Sequence, residues 1–291
     1  MITILTPTYN RGYILSQAYE SLRRQTDMRF EWIVVDDGSA DNTEGLVCGW
    51  EKESPFPIVY HKQPNGGKHR ALNRGVALAK AEYILILDSD DYLTDDAVEK
   101  IHSWIESIRG LDKFAGVSGL RGWKNRDTVI GGSTETAYVD ATNLQRRKLK
   151  MTGDKAEVYK TELMKRYPFP EFEGENFLRE SAVWDRIAQE GYKIRWFNEI
   201  IYKCEYLEDG LTKNTNEDKL LKNFQGFTYC TKLYIETRSL FFALLQIGRY
   251  AALAKKASKN KKEICNLLGI GRIKLGVAQL LYGVWKLMGK S

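Results

Sequence analysis

Cysteine and histidine are scarce in this chain of 291 residues, and the few present are scattered. Cys48, Cys204, Cys230 and Cys265 form no C-x-x-C, and His61, His69 and His102 have no partner spacing. That excludes the common zinc sites and fits free thiols in a reducing compartment. Long apolar runs are missing too, none reaching the roughly eighteen residues that a membrane span needs. No charged n-region precedes an apolar core: Met-Ile-Thr-Ile-Leu-Thr-Pro reads directly as a strand, so no signal peptide is expected and the chain reads as cytoplasmic. No G-x-G-x-x-G follows that strand, which argues against a dinucleotide-dependent dehydrogenase. A sugar-phosphate nucleotidyltransferase would be expected to carry a glycine-rich loop with Arg or Lys there, and Pro7-Thr8-Tyr9-Asn10 lacks one. No internal repeat or low-complexity tract is present.

What is present is ample core: 43% of the residues are hydrophobic and 12% aromatic. The formal charge of +6 is an uneven average. Arg249 to Ser291 holds ten Lys or Arg and one acid, Glu263, a local charge of +9, whereas residues 1–248 carry 34 bases and 37 acids. These bases alternate with Leu, Ile, Val, Trp and Tyr as in amphipathic helices. The tail is therefore expected on an anionic membrane surface rather than on nucleic acid, or packed on the rest of the chain or on a second subunit. A peripheral location on the inner face of the plasma membrane follows as an expectation.

The chain's most informative stretch is Tyr83 to Asp91, an apolar run that stops at three carboxylates. Strand alternation would point Asp88 and Asp90 the same way and Ser89 the other. Two hard oxygen ligands so placed suit a divalent cation that takes further oxygens from a diphosphate. Asp91, Asp95 and Asp96 equally fit an acidic helix start, with Thr94 capping a helix through Val98, Ile101, Ile105 and Ile108. Upstream, strands are expected at Ile2 to Thr6, Trp32 to Val35 and Ile58 to His61. Helices follow each, one opened by an Asp41/Glu44 capping box and ending near Glu53, another running from Lys68. The β-α-β-α-β-α-β series predicts an α/β fold with a doubly wound, mostly parallel sheet flanked by helices. Ligands of such sheets bind beyond the carboxyl ends of the strands, where Tyr9, Asn10, Arg11, Asp36, Asp37, Asn65, Lys68, Asp88 and Asp90 would gather.

Beyond residue 110 the pattern turns to glycine-rich strands at Val117 to Leu120 and Thr128 to Gly132. A short helix at Thr161 to Arg166 comes next, then a helix at Ser181 to Glu190 and strands at Lys193 to Asn198 and Ile200 to Tyr206. A long helix from about Asp218 to Ile247 opens the C-terminal region, followed by weaker ones. The expected division is 1–215 as the α/β domain, with a nucleotide half (1–110) and an acceptor half (111–215), and 216–291 as a basic helical extension.

Four motifs, in order, carry a resemblance: Thr6-Pro7-Thr8-Tyr9-Asn10-Arg11, Val34-Val35-Asp36-Asp37-Gly38-Ser39, Asn65-x-Gly67-Lys68-x-x-Ala71-Leu72-Asn73-x-Gly75 and Leu87-Asp88-Ser89-Asp90-Asp91. Over about the first 110 residues the chain resembles the family 2 glycosyltransferases, which have the GT-A fold. The resemblance implies an inverting transfer from a UDP-sugar to a hydroxyl of a glycan or lipid-linked glycan in cell-surface polysaccharide synthesis. It implies that Pro7, Tyr9 and Asp37 hold base and ribose, Asp37 accepting from the uracil imide, with Lys68 beside the base; Asn10, Arg11, Asn65, Asn73 and Ser89 complete the nucleotide-sugar set. Many members have an arginine where this chain has Leu72. Asp88 and Asp90 would be the DXD pair, the first near ribose or metal-bound water and the last on Mg²⁺ or Mn²⁺. Spacing back from Gly191 puts the general base at Glu180, with Glu173 and Glu175 as competitors and a mere helix cap as the other reading of Glu180. Lys213 would reach the diphosphate or remain a surface lysine. Trp123, Tyr167, Phe169, Phe172 and Trp184 stand where an acceptor sugar would stack or a core would form. A catalytically silent sugar-nucleotide-binding protein is the other class these motifs allow.

Overall fold

Seven consecutive buried residues make the first strand, β1 (Ile2–Thr8), and seven more make β2 (Phe30–Asp36). Strands apolar on both faces suit the middle of a parallel sheet covered by helices. The structure is a computed structural model describing residues 1–126, 128–205 and 217–289. Between and after those strands come α1 (Ser16–Arg23), α2 (Thr43–Glu53), β3 (Ile58–Lys62), α3 (Lys68–Leu78), β4 (Tyr83–Ile86), β5 (Tyr92–Leu93) and α4 (Ala97–Ser107). Next are β6 (Phe114–Trp123), β7 (Tyr138–Ala141), β8 (Lys155–Lys160), α5 (Thr161–Arg166), α6 (Ser181–Gln189) and β9 (Lys193–Cys204). The chain closes on α7 (Glu217–Lys222), α8 (Phe224–Thr237), α9 (Leu240–Lys256), α10 (Lys261–Leu268) and α11 (Arg272–Leu287).

Packing divides the chain into two units, Met1–Phe169 with Ile187–Tyr206, and Pro170–Arg186 with Leu207–Ser291. The first holds a nine-stranded sheet ordered β3-β2-β1-β4-β8-β6-β9-β5, with β7 beside β9. Its β3-β2-β1-β4 half is parallel throughout, as the doubly wound pattern requires. Helix α3 lies close on β1 because Gly75 faces Leu5: a Cβ there would stand 2.1 Å from Leu5 Cδ1. The other half is mixed. β8 enters antiparallel to both β4 and β6 and was not foreseen, since Lys155, Glu157 and Lys160 interrupt any apolar run. Lys155 is nonetheless buried, its Nζ donating to the carbonyls of Thr152 (2.6 Å) and Ile130 (3.3 Å).

Several expectations are corrected. β4 stops at Ile86 and the acids lie in a turn, closed by Asp91 N–H donating to the Asp88 carbonyl (3.1 Å), so strand alternation does not govern Asp88 and Asp90. The two strands expected over 193–206 are one, β9, which bulges where Ser118 and Leu120 of β6 face Trp196 and Ile200. Asp41 does not form a capping box. It accepts from Gly12 N–H (2.9 Å) and Thr43 N–H (3.1 Å), while Glu44 pairs with Lys62 (3.0 Å). Thr94 does not cap α4: its hydroxyl donates to Asp96 (2.8 Å), and the helix is entered from Asp96 without a side-chain cap.

In the helical unit the single helix expected to Ile247 is three, α7, α8 and the start of α9. Asn223 ends the first: its amide oxygen accepts from Asn176 and Phe177 N–H (2.8 and 2.9 Å) and its nitrogen donates to Lys219 O (2.8 Å). Glu175 accepts from Gln225 and Gly226 N–H (2.6 and 2.8 Å) at the start of α8, where a carboxylate meets the helix dipole. With the Asp185–Arg238 ion pair (3.0 Å), these bonds tie residues 170–186 to the C-terminal helices, so packing does not follow a single cut near residue 215. Ile247, Tyr250, Ala251, Ala254, Ile264, Leu268, Leu275 and Ala278 form that unit's core.

Candidate active site

Because β1, β2, β3 and β4 run parallel, their following loops share one edge of the sheet. The first two are laced together. Asn10, in the left-handed region at φ 51°, donates its N–H to Ser39 Oγ (2.8 Å), and its side-chain oxygen accepts from Ala40 N–H (2.8 Å). Tyr9 is half exposed beyond them, and Arg11 lies against the Tyr13 ring. Pro7 is buried in β1, in register with Val35. Asp36 is wholly buried, accepting from Ser39 N–H (2.7 Å) and the Tyr60 hydroxyl (2.6 Å); burial and that carboxylate push the hydroxyl far above its ordinary range.

Asp37 organises the third loop. One carboxylate oxygen accepts from Gln63 Nε2 (2.8 Å) and Gly66 N–H (3.0 Å), the other from Gly67 N–H (2.7 Å) and Asn65 Nδ2 (3.3 Å). Gly67, at φ 97°, then turns the chain into α3, whose first residue is Lys68. The carboxylate expected to receive a uracil imide therefore also staples the loop that carries Lys68. Asn73 brackets the Phe169 peptide, donating to its carbonyl (2.8 Å) and accepting from its N–H (2.9 Å).

The acidic turn is held from three sides. Lys68 Nζ donates to one Asp88 oxygen, and Arg121 NH1 of β6 stands 3.5 Å from the other and 3.9 Å from Asp91. The Arg121 guanidinium lies 4.1 Å over the Tyr202 ring and donates through Nε to Lys155 O (2.9 Å). Tyr202 accepts from Asp88 N–H (2.9 Å) and donates to Asp91 Oδ2 (2.9 Å). These contacts separate the three acids. Burial alone would raise Asp88, but Lys68 and Arg121 outweigh it and hold the carboxyl below its ordinary range. Asp90 is raised by burial and then by the Asp88 charge, and Asp91 is pushed up to about 8 by the same two causes. Ser89 is buried between them.

A divalent cation fits this donor set in a limited way. Asp88 is already neutralised by two cations, whereas Asp90 enters no ion pair among the described residues. No group of three or more His, Cys, Asp or Glu suited to a metal occurs among the described residues either. A cation here must take most of its oxygens from substrate and water, as Mg²⁺ does in diphosphate sites.

Arg121 and Tyr202 were missed in the sequence. The available signal was a lone arginine in an otherwise apolar, glycine-rich strand, which requires a buried partner. Of the aromatic candidates, Phe169 and Trp184 are buried, and Trp123 is partly buried under Arg126. Phe172 packs on Tyr229 within the helical unit. Glu180 belongs to that unit, half-buried where α6 begins, its carbonyl accepting from Val183 N–H (2.9 Å). Glu175 is the cap of α8 described above. Lys213 lies outside the described residues.

The model of the family described as "Glycosyl transferase family 2" matches residues 3–167. "Glycosyltransferase GlyG" of Streptococcus pneumoniae serotype 4 is 34% identical over 106 residues, 36% of this chain and 35% of that protein. "Poly-beta-1,6-N-acetyl-D-glucosamine synthase" of Staphylococcus epidermidis is 28% identical over 152 residues, 52% of this chain and 36% of that protein. The chain thus spans about a third of the length of these curated relatives. Among solved structures, S. aureus TarS 1–349 in complex with UDP-GlcNAc aligns with a TM-score of 0.66 at 17% identity, covering 98% of this chain and 91% of that one. The mannosyltransferase PcManGT from Pyrobaculum calidifontis, in complex with GDP-Man and Mn²⁺, aligns with a TM-score of 0.56 at 18% identity, covering 98% and 87%. At such identities the structural likeness establishes a shared fold.

Proposed function

This chain belongs to glycosyl transferase family 2, and from that premise we propose that it moves a sugar from a UDP-sugar to a hydroxyl of a glycan or lipid-linked glycan, inverting the anomeric carbon. The observation that carries the reading is the turn Asp88–Asp91 at the strand ends, with Lys68 and Arg121 holding Asp88 ionised while Asp90 stays out of any ion pair among the described residues. TarS in complex with UDP-GlcNAc supports UDP over GDP, and PcManGT with GDP-Man is the counter-example to test.

In this reading Asp37 keeps the Gly66–Gly67 turn closed and presents an acceptor toward the base, with Tyr9 stacking at the open side and Asn10, Arg11, Asn65 and Ser89 shaping the loops around the nucleotide. Mg²⁺ or Mn²⁺, held by Asp90 and by diphosphate oxygens with Asp88 behind it, would offset the charge that builds on departing UDP. Lys68 is positioned to share that anionic load when Asp88 yields it. The acceptor hydroxyl loses its proton to a carboxylate as its oxygen bonds to the anomeric carbon and the bond to the diphosphate breaks. Glu180 is assigned that role on the spacing of its motif, and Lys213 is assigned to the diphosphate on the same basis.

Calorimetry with UDP and GDP in Mn²⁺ tests the donor assignment. UDP should bind more tightly, and Asp37→Ala should weaken UDP binding and shrink the preference. GDP bound more tightly than UDP would overturn it.

A further inference from the structure

The basic tail looked uniformly amphipathic in sequence, and the fold separates its apolar residues into two sets. Tyr250, Ala251, Leu253, Ala254, Ile264, Cys265 and Leu268 are buried in the core of the helical unit and are not available to any outside surface. Helix α11 differs. Its inner side, Leu275 and Ala278, is buried, and it lies so close on α9 that a Cβ at Gly248 would meet Tyr282 Cβ at 2.3 Å and Ala278 O at 2.4 Å. Its outer side repeats Ile273, Val277, Leu280, Val284 and Leu287, spaced four and three residues apart, with each side chain between 47% and 89% exposed. At one end Trp285 meets Phe241 (ring centroids 5.8 Å), next to exposed Leu240 at the start of α9, which extends the apolar surface.

We infer that this outer face of α11 docks in the plane of an anionic lipid surface, and the inference does not depend on the transferase reading. The stripe has the apolar width of an in-plane helix, and the helix carries Arg272, Lys274 and Lys286 with no acid. No described helix is long and apolar enough to span a bilayer alone, and α10 and α11 meet at a bend of 102°, so a helix lying along the surface is the simplest seat. Charge decides against a second copy of this chain. A seam built on these five positions would be flanked by Lys274, Gly276, Leu281 and Gly283, which offer no acid to answer a partner's lysine. Two such tails, each with a local charge of +9, would also repel. An anionic headgroup layer supplies the missing counter-charge to the bases while the acyl boundary takes the leucines.

The test uses the full chain and phosphatidylglycerol vesicles against phosphatidylcholine vesicles. The protein should sediment with the anionic vesicles at low salt and release as salt rises. Leu280→Gln/Leu287→Gln should lower the partition on the order of tenfold or more, because several methylene groups leave the acyl boundary, while UDP affinity and the thermal transition stay unchanged. Arg272→Gln/Lys274→Gln/Lys286→Gln should flatten the salt dependence. Equal sedimentation of the leucine variant would overturn the assignment. A stable dimer that the leucine variant turns into monomer, with no vesicle binding, would make the face a subunit interface instead.

Discussion

Replacing Arg121 with Met should destabilise the metal-free protein and strengthen its binding of Mn²⁺, two effects of opposite sign from one substitution. Arg121 is mostly buried, 3.5 Å from Asp88, 3.9 Å from Asp91 and 4.1 Å over the Tyr202 ring. Met retains much of the apolar stem but removes the charge and the Nε bond to Lys155 O. Removing one partner of a buried pair costs about 3–5 kcal/mol when nothing else neutralises the charge left behind. Lys68 remains on Asp88, so a net loss of about 2–3 kcal/mol is expected, roughly 3–5 °C in Tm for a chain of this size. The pH dependence follows from the sign of the Asp88 shift. A carboxyl held below its ordinary value contributes stability that is present at neutral pH and is lost as pH falls through the folded value. The variant, with a smaller depression, should therefore lose less stability on acidification than the wild type. Thermal unfolding in chelator at several pH values, with Mn²⁺ calorimetry in the presence of UDP, reads both effects. An Arg121→Met protein as stable as wild type in chelator would refute the reasoning, as would one that binds Mn²⁺ more weakly while still folded.

Three further outcomes are expected. Asp90→Ala should abolish the Mn²⁺-supported part of UDP binding in calorimetry, and full turnover in excess chelator would contradict the metal role. Glu180→Gln should lower kcat by roughly 10²-fold with donor affinity nearly unchanged, since the amide cannot accept the hydroxyl proton; normal transfer by this variant would move the base elsewhere. Gly75→Ala should cost about 1–2 kcal/mol in urea unfolding, because the overlap with Leu5 exceeds the roughly 1 kcal/mol that alanine returns in helix propensity; a stabilised variant would show that α3 can move off β1.

The nucleotide half was legible because its signals are local. Parallel strands buried on both faces write themselves as apolar runs, and Asn10, Asp37, Gly67 and Asp88 stand where those runs end. Strand limits were less legible: the ladder to β1 continues through Leu87 N–H to Leu5 O (2.9 Å), and the chain then turns through the turn-prone run Asp88–Asp91, which strand alternation alone reads as extended. What was hidden depends on contacts distant in sequence. Arg121 reaches Asp88 across 33 positions, Tyr202 reaches it across 114, and β8 is a strand because β4 and β6 leave a gap for it, despite its charged residues. The break at Asn223 was likewise set by partners at 176 and 177 rather than by helix propensity. Asn73 matched a motif, yet its amide is engaged by the peptide of Phe169, 96 residues away.

The central claim is tested most directly by incubating the purified chain with UDP-GlcNAc, UDP-glucose, UDP-galactose and GDP-mannose in Mn²⁺ and measuring the nucleotide released. The account predicts release of UDP from at least one UDP-sugar, suppressed by chelator and by Asp90→Ala. Release of GDP alone, or UDP release untouched by chelator and by Asp90→Ala, would contradict it.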